Sequence, residues 1–170
     1  PIENKEQIVS KFADAFTSRT KVVHITHMIN WNGQLLPAKE IAHEAHKRDI
    51  EVLVDGAHSF AHIPYKISDL DCDYFGTSLH KWMSAPIGSG LLYVKKEKIK
   101  NLYPFLASAD PESTDIRKFE SLGTRSFPIE QAIAHAIDFY NMICTERKFK
   151  RLQYLKEYWT TFSEKSKYKV

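Results

Sequence analysis

The chain has 170 residues, 43% of them hydrophobic and 26% charged, the make-up of a globular domain large enough to bury a core. Its formal charge of +3 gathers between Arg147 and Lys169 and leaves the remainder mildly acidic, so it describes a local basic helix and not a nucleic-acid footprint. No apolar run approaches the ~18 residues that span a bilayer, and Cys72 and Cys144 lack the CxxC spacing of a zinc or disulfide framework, so neither membrane nor nucleic acid is an expected partner and a reducing, cytoplasmic compartment fits.

The segment "KEQIVSKFADAFTS" sets Ile8, Phe12 and Ala15 on one helical face, and "KVVHIT" follows as a short β-branched strand. Pro37 suits a first helical turn, and "AKEIAHEAHKRD" places Ile41, Ala42 and Ala45 on one face. "IEVLVDG" is then apolar nearly throughout, as a parallel strand covered on both sides should be. Strand, helix and strand within about 30 residues make a βαβ unit with a right-handed crossover. "CDYFGTS" and "SGLLYVKK" are the next expected strands.

Residues 101–125 read as an irregular, functional loop. Pro128 then opens a helix whose stripe is Ile129, Ala132, Ile133, Ala136 and Ile137, running to about Thr145. A final helix carries Phe149, Leu152, Leu155, Trp159 and Phe162, a stripe that needs a partner the chain does not fully supply. The expected organisation is residues 1–145 as part of a large α/β domain and 146–170 as a long helix leading onward. The opening "PIENKEQIV" reads like the interior of something longer.

All six glycines lie between Gly33 and Gly123, where strands end and loops approach something closely. In open α/β sheets ligands sit beyond the carboxyl ends of the strands. Four polar points fall there: Asn30 in "THMIN", Asp55 and His58 in "VLVDGAH", Ser78, His80 and Lys81 in "TSLHK", and Thr124 and Arg125 in "LGTRS". A carboxylate following a buried run needs a cation or strong donor, and a protonated pyridine nitrogen would serve. Lys81 would supply the amine of a Schiff base, with Ser78, His80 and Thr124 as phosphate-type donors and Asn30 as a donor to a ring hydroxyl.

The order "THMINWNG…VLVDGAHSFAHIP…LDCDYFGTSLHKWMSAPIGSGLLYVKKE…ESLGT" resembles the class V aminotransferase family of pyridoxal-phosphate enzymes, fold type I, over roughly residues 20–145. The resemblance implies a three-layer α/β/α domain with a mainly parallel sheet, the chain being the central part of the large domain. It implies Lys81 as the Schiff-base lysine, Asp55 as the pyridinium partner, Asn30 as a ligand of the cofactor hydroxyl, and Ser78 and His80 as phosphate ligands. Thr124 matches a residue that reaches the neighbouring subunit's cofactor, which implies a homodimer. It also implies His58 as a catalytic and cofactor-binding residue; His58 stands where desulfurases often have glutamine and is more like the isopenicillin N epimerase branch. Arg125 is open between substrate carboxylate, phosphate and an ion pair.

The implied activity is that of an aminotransferase or epimerase-like enzyme on an amino acid substrate. A cysteine desulfurase or selenocysteine lyase is the alternative, and a non-catalytic binding protein is the reading from another class. The residues that select among them are expected outside residues 1–170, as is a ring-stacking residue on the N-terminal side. His24, His43, His46, His62 and His135 read as structural or exposed, and no metal site is expected at His43 and His46 for want of a third ligand. His27, close to Asn30, is expected to have no direct chemical role. Trp31 and Trp82 are expected to pack, and Cys72 and Cys144 to fill space.

Overall fold

The computed structural model describes residues 3–164, with side chains through Thr161; the Phe162 side chain lies outside those described. Helix α1, Lys5–Ala15, starts at Asn4, whose Oδ1 accepts from the Gln7 N–H at 2.8 Å while Gln7 Oε1 accepts from the Asn4 N–H at 3.0 Å. This reciprocal pair satisfies two of the N–H groups that a helix start leaves free. Strand β1, Val22–Thr26, leads through a short excursion to helix α2, Ala38–His46, and then to strand β2, Glu51–Asp55. The buried face of α2 is Ala38, Ile41, Ala42 and Ala45, as its spacing predicts, and the three alanines let the helix lie close to the sheet.

Strand β3 is Tyr74–Ser78 and strand β4 is Gly90–Val94, giving a four-stranded sheet in the order β1-β2-β3-β4. The first two pairings are parallel and the last is antiparallel. A parallel β3–β4 pair would need a crossover of a dozen or more residues, and the connection over residues 79–89 is a folded-back loop. Both expected strands start later than "CDYFGTS" and "SGLLYVKK" suggest, because Cys72, Asp73 and Ser89 precede the paired residues.

Registered partners share a face of the sheet. Val23 pairs with Val52, Ile25 with Val54, and Val54 with Phe75, and this face is buried under α1 and α2 in the main core. The other face carries His24, Leu53, Asp55, Tyr74 and Gly76. Its lower part is covered where Leu53 of β2 and Tyr74 of β3 pack with Val94 of β4, with Ile99 and Phe119 of two 3₁₀ helices, Lys96–Asn101 and Ile116–Glu120, and with Leu102 just after the first. The second 3₁₀ helix breaks up the segment expected to be wholly irregular, and Lys118 within it is buried, its Nζ donating to the Pro111 carbonyl at 3.0 Å.

Helix α3 spans Phe127–Ile143 and helix α4 spans Thr145–Glu164. Cys144 separates them with φ 69°, a left-handed value that stops one helix and redirects the chain into the next. Ile133 and Ala136 of α3 pack against Leu79 and Ala85 beside Lys81, while Ile137 stays exposed. On α4, Leu155 and Trp159 are 43% and 54% exposed, so the apolar stripe is only partly used within the described residues. The architecture is α/β, with a mixed, mostly parallel sheet flanked by helices, as expected for the central part of a three-layer α/β/α domain. No helix among the described residues is long and apolar enough to cross a membrane.

Candidate active site

The parallel strands β1, β2 and β3 end on one side of the sheet, and the polar residues beyond them meet there. Asp55 closes β2 and faces away from the main core, opposite its buried neighbour Val54, and its registered partner Gly76 leaves that face open. Ser78 closes β3 and is half-buried. Asp55, Ser78 and Lys81 line one open depression of about 460 Å³, together with His24, Ala57, Gly76 and Thr77. Gly76 matters here for what it lacks: a Cβ built on it meets nothing within 4 Å, so a side chain would project into free space on the Asp55 face.

The loop after β2 turns tightly. Gly56 donates to the Gly76 carbonyl at 2.8 Å, and its own carbonyl accepts from Ser59 and Phe60 at 3.0 and 2.8 Å. A Cβ on Gly56 would lie 2.0 Å from the Phe75 ring, so only glycine allows the chain to pass this close. One oxygen of Asp55, Oδ1, accepts from the Ala57 N–H at 2.8 Å. That bond anchors the carboxylate and is the one hydrogen bond to it found among the described residues, which leaves Oδ2 available. The same turn presents His58, whose Nε2 lies 3.0 Å from Lys81 Nζ.

Lys81 stands in the turn that follows β3, tied by Leu79 N–H to the Ser89 carbonyl, Ser84 N–H to the Lys81 carbonyl and Ala85 N–H to the Leu79 carbonyl. Its amine is exposed and accessible from the depression. His80, next to it, donates from Nδ1 to the Ser89 carbonyl at 3.3 Å.

Beneath the site runs a buried polar chain that the sequence did not reveal. His27 Nδ1 lies 2.9 Å from Ser59 Oγ, which lies 2.9 Å from the Tyr65 hydroxyl, and the His27 and Tyr65 rings meet edge to face at 4.8 Å. Burial holds the His27 imidazole below its ordinary pKa. Burial also pushes the Tyr65 hydroxyl up to about 12, partly offset by its bond with Ser59, so both groups stay neutral near pH 7. His27 therefore braces the His58 loop from below through Ser59.

The structure thus brings together Asp55, His58, Ser78 and Lys81. Asn30, His80 and Thr124 are exposed, and none of them lines the depression. Asn30 sits at the tip of the excursion after β1, where Ile29 and Gln34 pair across a turn. Arg125 is engaged with Glu130 and donates to the Glu120 carbonyl at 3.0 Å, the ion-pair option among those open to it. His24, expected to be structural or exposed, is exposed and lines the depression; its place on β1 opposite Leu53 gives the signal, since His24 and Asp55 share a face. His62 stacks on Trp82 with centroids 3.7 Å apart, a pairing hidden by their 20-residue separation. Cys72 is a buried filler, and burial above all raises its thiol to about 11.

A carboxylate and a primary amine line one depression at the carboxyl ends of parallel strands, on a fold shared with the pyridoxal-phosphate enzymes of fold type I. The family model described as aminotransferase class-V matches residues 1–161, and the chain belongs to that family, whose members use pyridoxal phosphate. The chain is 30% identical over 149 residues to the isopenicillin N epimerase of Streptomyces clavuligerus, covering 78% of this chain and 37% of the epimerase. A probable cysteine desulfurase of Halalkalibacterium halodurans is 40% identical over 103 residues, covering 61% of this chain and 23% of the desulfurase. Among solved structures, the cysteine desulfurase CsdA from Escherichia coli superposes with a TM-score of 0.71 at 23% identity, covering 82% of this chain and 37% of that one, a likeness of fold. The chain spans well under half the length of these relatives.

Proposed function

We propose that this chain is the cofactor-anchoring core of a cytoplasmic pyridoxal-phosphate enzyme that acts at the α-carbon of an amino acid, in the manner of an epimerase or aminotransferase. The observation that carries the reading is the shared depression of Asp55, Ser78 and Lys81 with His58 3.0 Å from the lysine amine. The donor set of the depression fits the cofactor: a carboxylate with a free oxygen suits a ring nitrogen, a primary amine suits the aldehyde carbon, and the Ser78 hydroxyl suits the phosphate. Gly76 leaves room for a flat ring on the Asp55 face.

When bound, pyridoxal phosphate supplies an electron sink for the charge that develops at the substrate α-carbon. Asp55 would hold a proton on the ring nitrogen, because a fixed anion beside a base raises its affinity for protons. Lys81 would hold the cofactor through its amine and would be the base placed to move the proton at the α-carbon. His58 would orient the Lys81 amine through the 3.0 Å contact between its Nε2 and Lys81 Nζ. Ser78 and His80 are assigned to the phosphate, and Asn30 to the ring hydroxyl.

Thr124, exposed beside Gly123, suits a contact with the cofactor of a second subunit, so a homodimer belongs to this reading. Residues 1–145 are assigned to the cofactor domain and 146–170 to a helix leading to a further domain. Cysteine desulfurase is the second reading, favoured by the 40% identity to a protein of that name, whereas histidine at position 58 favours the epimerase-like branch.

The test is the visible spectrum of the full-length protein titrated with a panel of amino acids. Wild type should show a long-wavelength cofactor band that its own substrate perturbs, and Lys81→Ala should lose that band and turnover together. A Lys81→Ala protein with both intact would overturn the assignment.

A further inference from the structure

Lys148, in the first turn of α4, reaches across the molecule to the site loops. Its Nζ donates to the Trp82 carbonyl at 2.7 Å and to the Ala61 carbonyl at 3.0 Å. Trp82 follows Lys81 directly, and Ala61 belongs to the turn that presents His58. The same ammonium lies 5.8 Å from the centre of the Trp82 ring and 5.3 Å from that of Tyr140. His62, stacked on Trp82, donates from Nδ1 to the His58 carbonyl at 2.9 Å. Two loops from different strands are therefore joined at one cation.

Helix stability does not explain this placement. A positive charge in the first turn of a helix opposes the helix dipole. Lys148 has no carboxylate partner among the described residues, and burial holds its ammonium below the ordinary lysine pKa, so the charge is kept at a cost. Two carbonyls converging from separate loops explain it, since without a shared donor they would repel one another and lose their hydrogen bonds. The Trp82 indole N–H is buried without an acceptor in the described residues, so the ring is held by the His62 stack and by its surroundings.

We propose that Lys148 is a positioning residue that clamps the Lys81 turn to the His58 turn and so sets the distance between the Lys81 amine and the His58 imidazole. The proposal rests on the reading of Lys81 given above. It makes α4 part of the active-site scaffold and couples any displacement of that helix to the lysine.

The full-length protein, stripped of cofactor, is the sample. Hydrogen exchange would be read at the amides that close the two turns, Ser59, Phe60, His62 and Ile63 on one side and Ser84 and Ala85 on the other. Acylation of Lys81 by acetic anhydride would be followed against pH by mass spectrometry. Lys148→Met should speed exchange in both turns about tenfold, leave the β1 and β2 amides unchanged, and shift the pH profile of Lys81 acylation. Lys148→Arg, which keeps a donor for each carbonyl, should stay within about twofold of wild type. Lys148→Gln should release one turn and keep the other.

A folded Lys148→Met protein with wild-type exchange in both turns and an unchanged Lys81 profile would overturn the proposal. If Lys148→Met does not fold, Lys148→Gln decides: a lower thermal midpoint with an unaltered Lys81 profile would mean packing alone and would equally overturn it. Lys81→Ala, tested as purified before any cofactor is stripped, separates the two readings. Its retention of the cofactor band would defeat the assignment of Lys81 while the exchange results on the two turns stood on their own.

Discussion

Gly56→Ala tests the geometry that delivers Asp55 and His58. A methyl group at position 56 would lie 2.0 Å from Phe75 Cζ and 2.4 Å from Cε2. Ordinary carbon contacts are about 3.5–4.0 Å, so the ring or the backbone must give by about 1.5 Å. Phe75 is fully buried, with the rings of Phe60 and Tyr65 at centroid distances of 6.1 and 6.4 Å, and it sits in a strand paired on both sides. Overpacking of this kind costs about 1–3 kcal/mol, and the lack of any exit for the ring places Gly56→Ala towards the upper end. Urea unfolding of the cofactor-free protein measures it. Gly76→Ala, whose Cβ meets nothing within 4 Å, is the matched control and should stay within about 0.5 kcal/mol. Phe75→Leu should partly rescue Gly56→Ala, giving a coupling of about 1–2 kcal/mol in a double-mutant cycle. A Gly56→Ala protein as stable as Gly76→Ala, or a cycle with no coupling, would refute the close-approach argument.

Gly76→Ala itself should leave stability unchanged but weaken cofactor retention, read as faster loss of the cofactor band on dialysis, because the methyl group enters the depression beside Asp55. Asp73 sits at the other end of the sheet, where burial alone would raise its pKa, but the bonds from His46 at 3.0 Å and the Val52 N–H at 2.8 Å, with Lys98 and His46 as charges, hold it below the ordinary range. Its stabilisation is therefore present above the unfolded value near pH ~4 and is lost as pH falls through the lower folded value; Asp73→Ala should remove that acid transition and cost about 1–3 kcal/mol in urea unfolding. His27, held neutral by burial, has the same sign for a different reason: the unfolded chain binds its proton first, so stability should fall as pH drops below ~6.5, and His27→Gln should flatten that part of the curve. Tyr65→Phe should cost about 1 kcal/mol by leaving Ser59 short of a partner, and in wild type the Tyr65 hydroxyl should resist ionisation in an absorbance titration until about pH 12.

Much of the frame was legible because period and burial agree along the chain. The alanines and Ile41 of α2 recur on one helical face, and the continuous apolar run before Asp55 belongs to a central strand with neighbours on both sides. Asp55, His58, Ser78 and Lys81 were legible as polar residues just past such strands. The antiparallel turn of β4 was there to be read too, since a loop over residues 79–89 is too short to cross the sheet. The boundaries of β3 and β4 were not, because Asp73 looks like strand by its neighbours and acts as a side-chain acceptor for Val52.

What periodicity could not supply is contact between residues far apart in the chain. The His27, Ser59 and Tyr65 chain joins three segments by single hydrogen bonds, each from a residue that reads as an ordinary loop or strand-end position. Lys148 is the extreme case. On α4 it looks like one more lysine of a basic helix whose charges face water, and its two bonds lie 87 and 66 residues away in sequence. Its setting betrays it only once the fold is known: a cation at the wrong end of a helix dipole, with no carboxylate partner among the described residues, between two carbonyls that flank the site. Each of those features weakens the case for a stabilising surface charge, and together they tie α4 to the turn that carries Lys81.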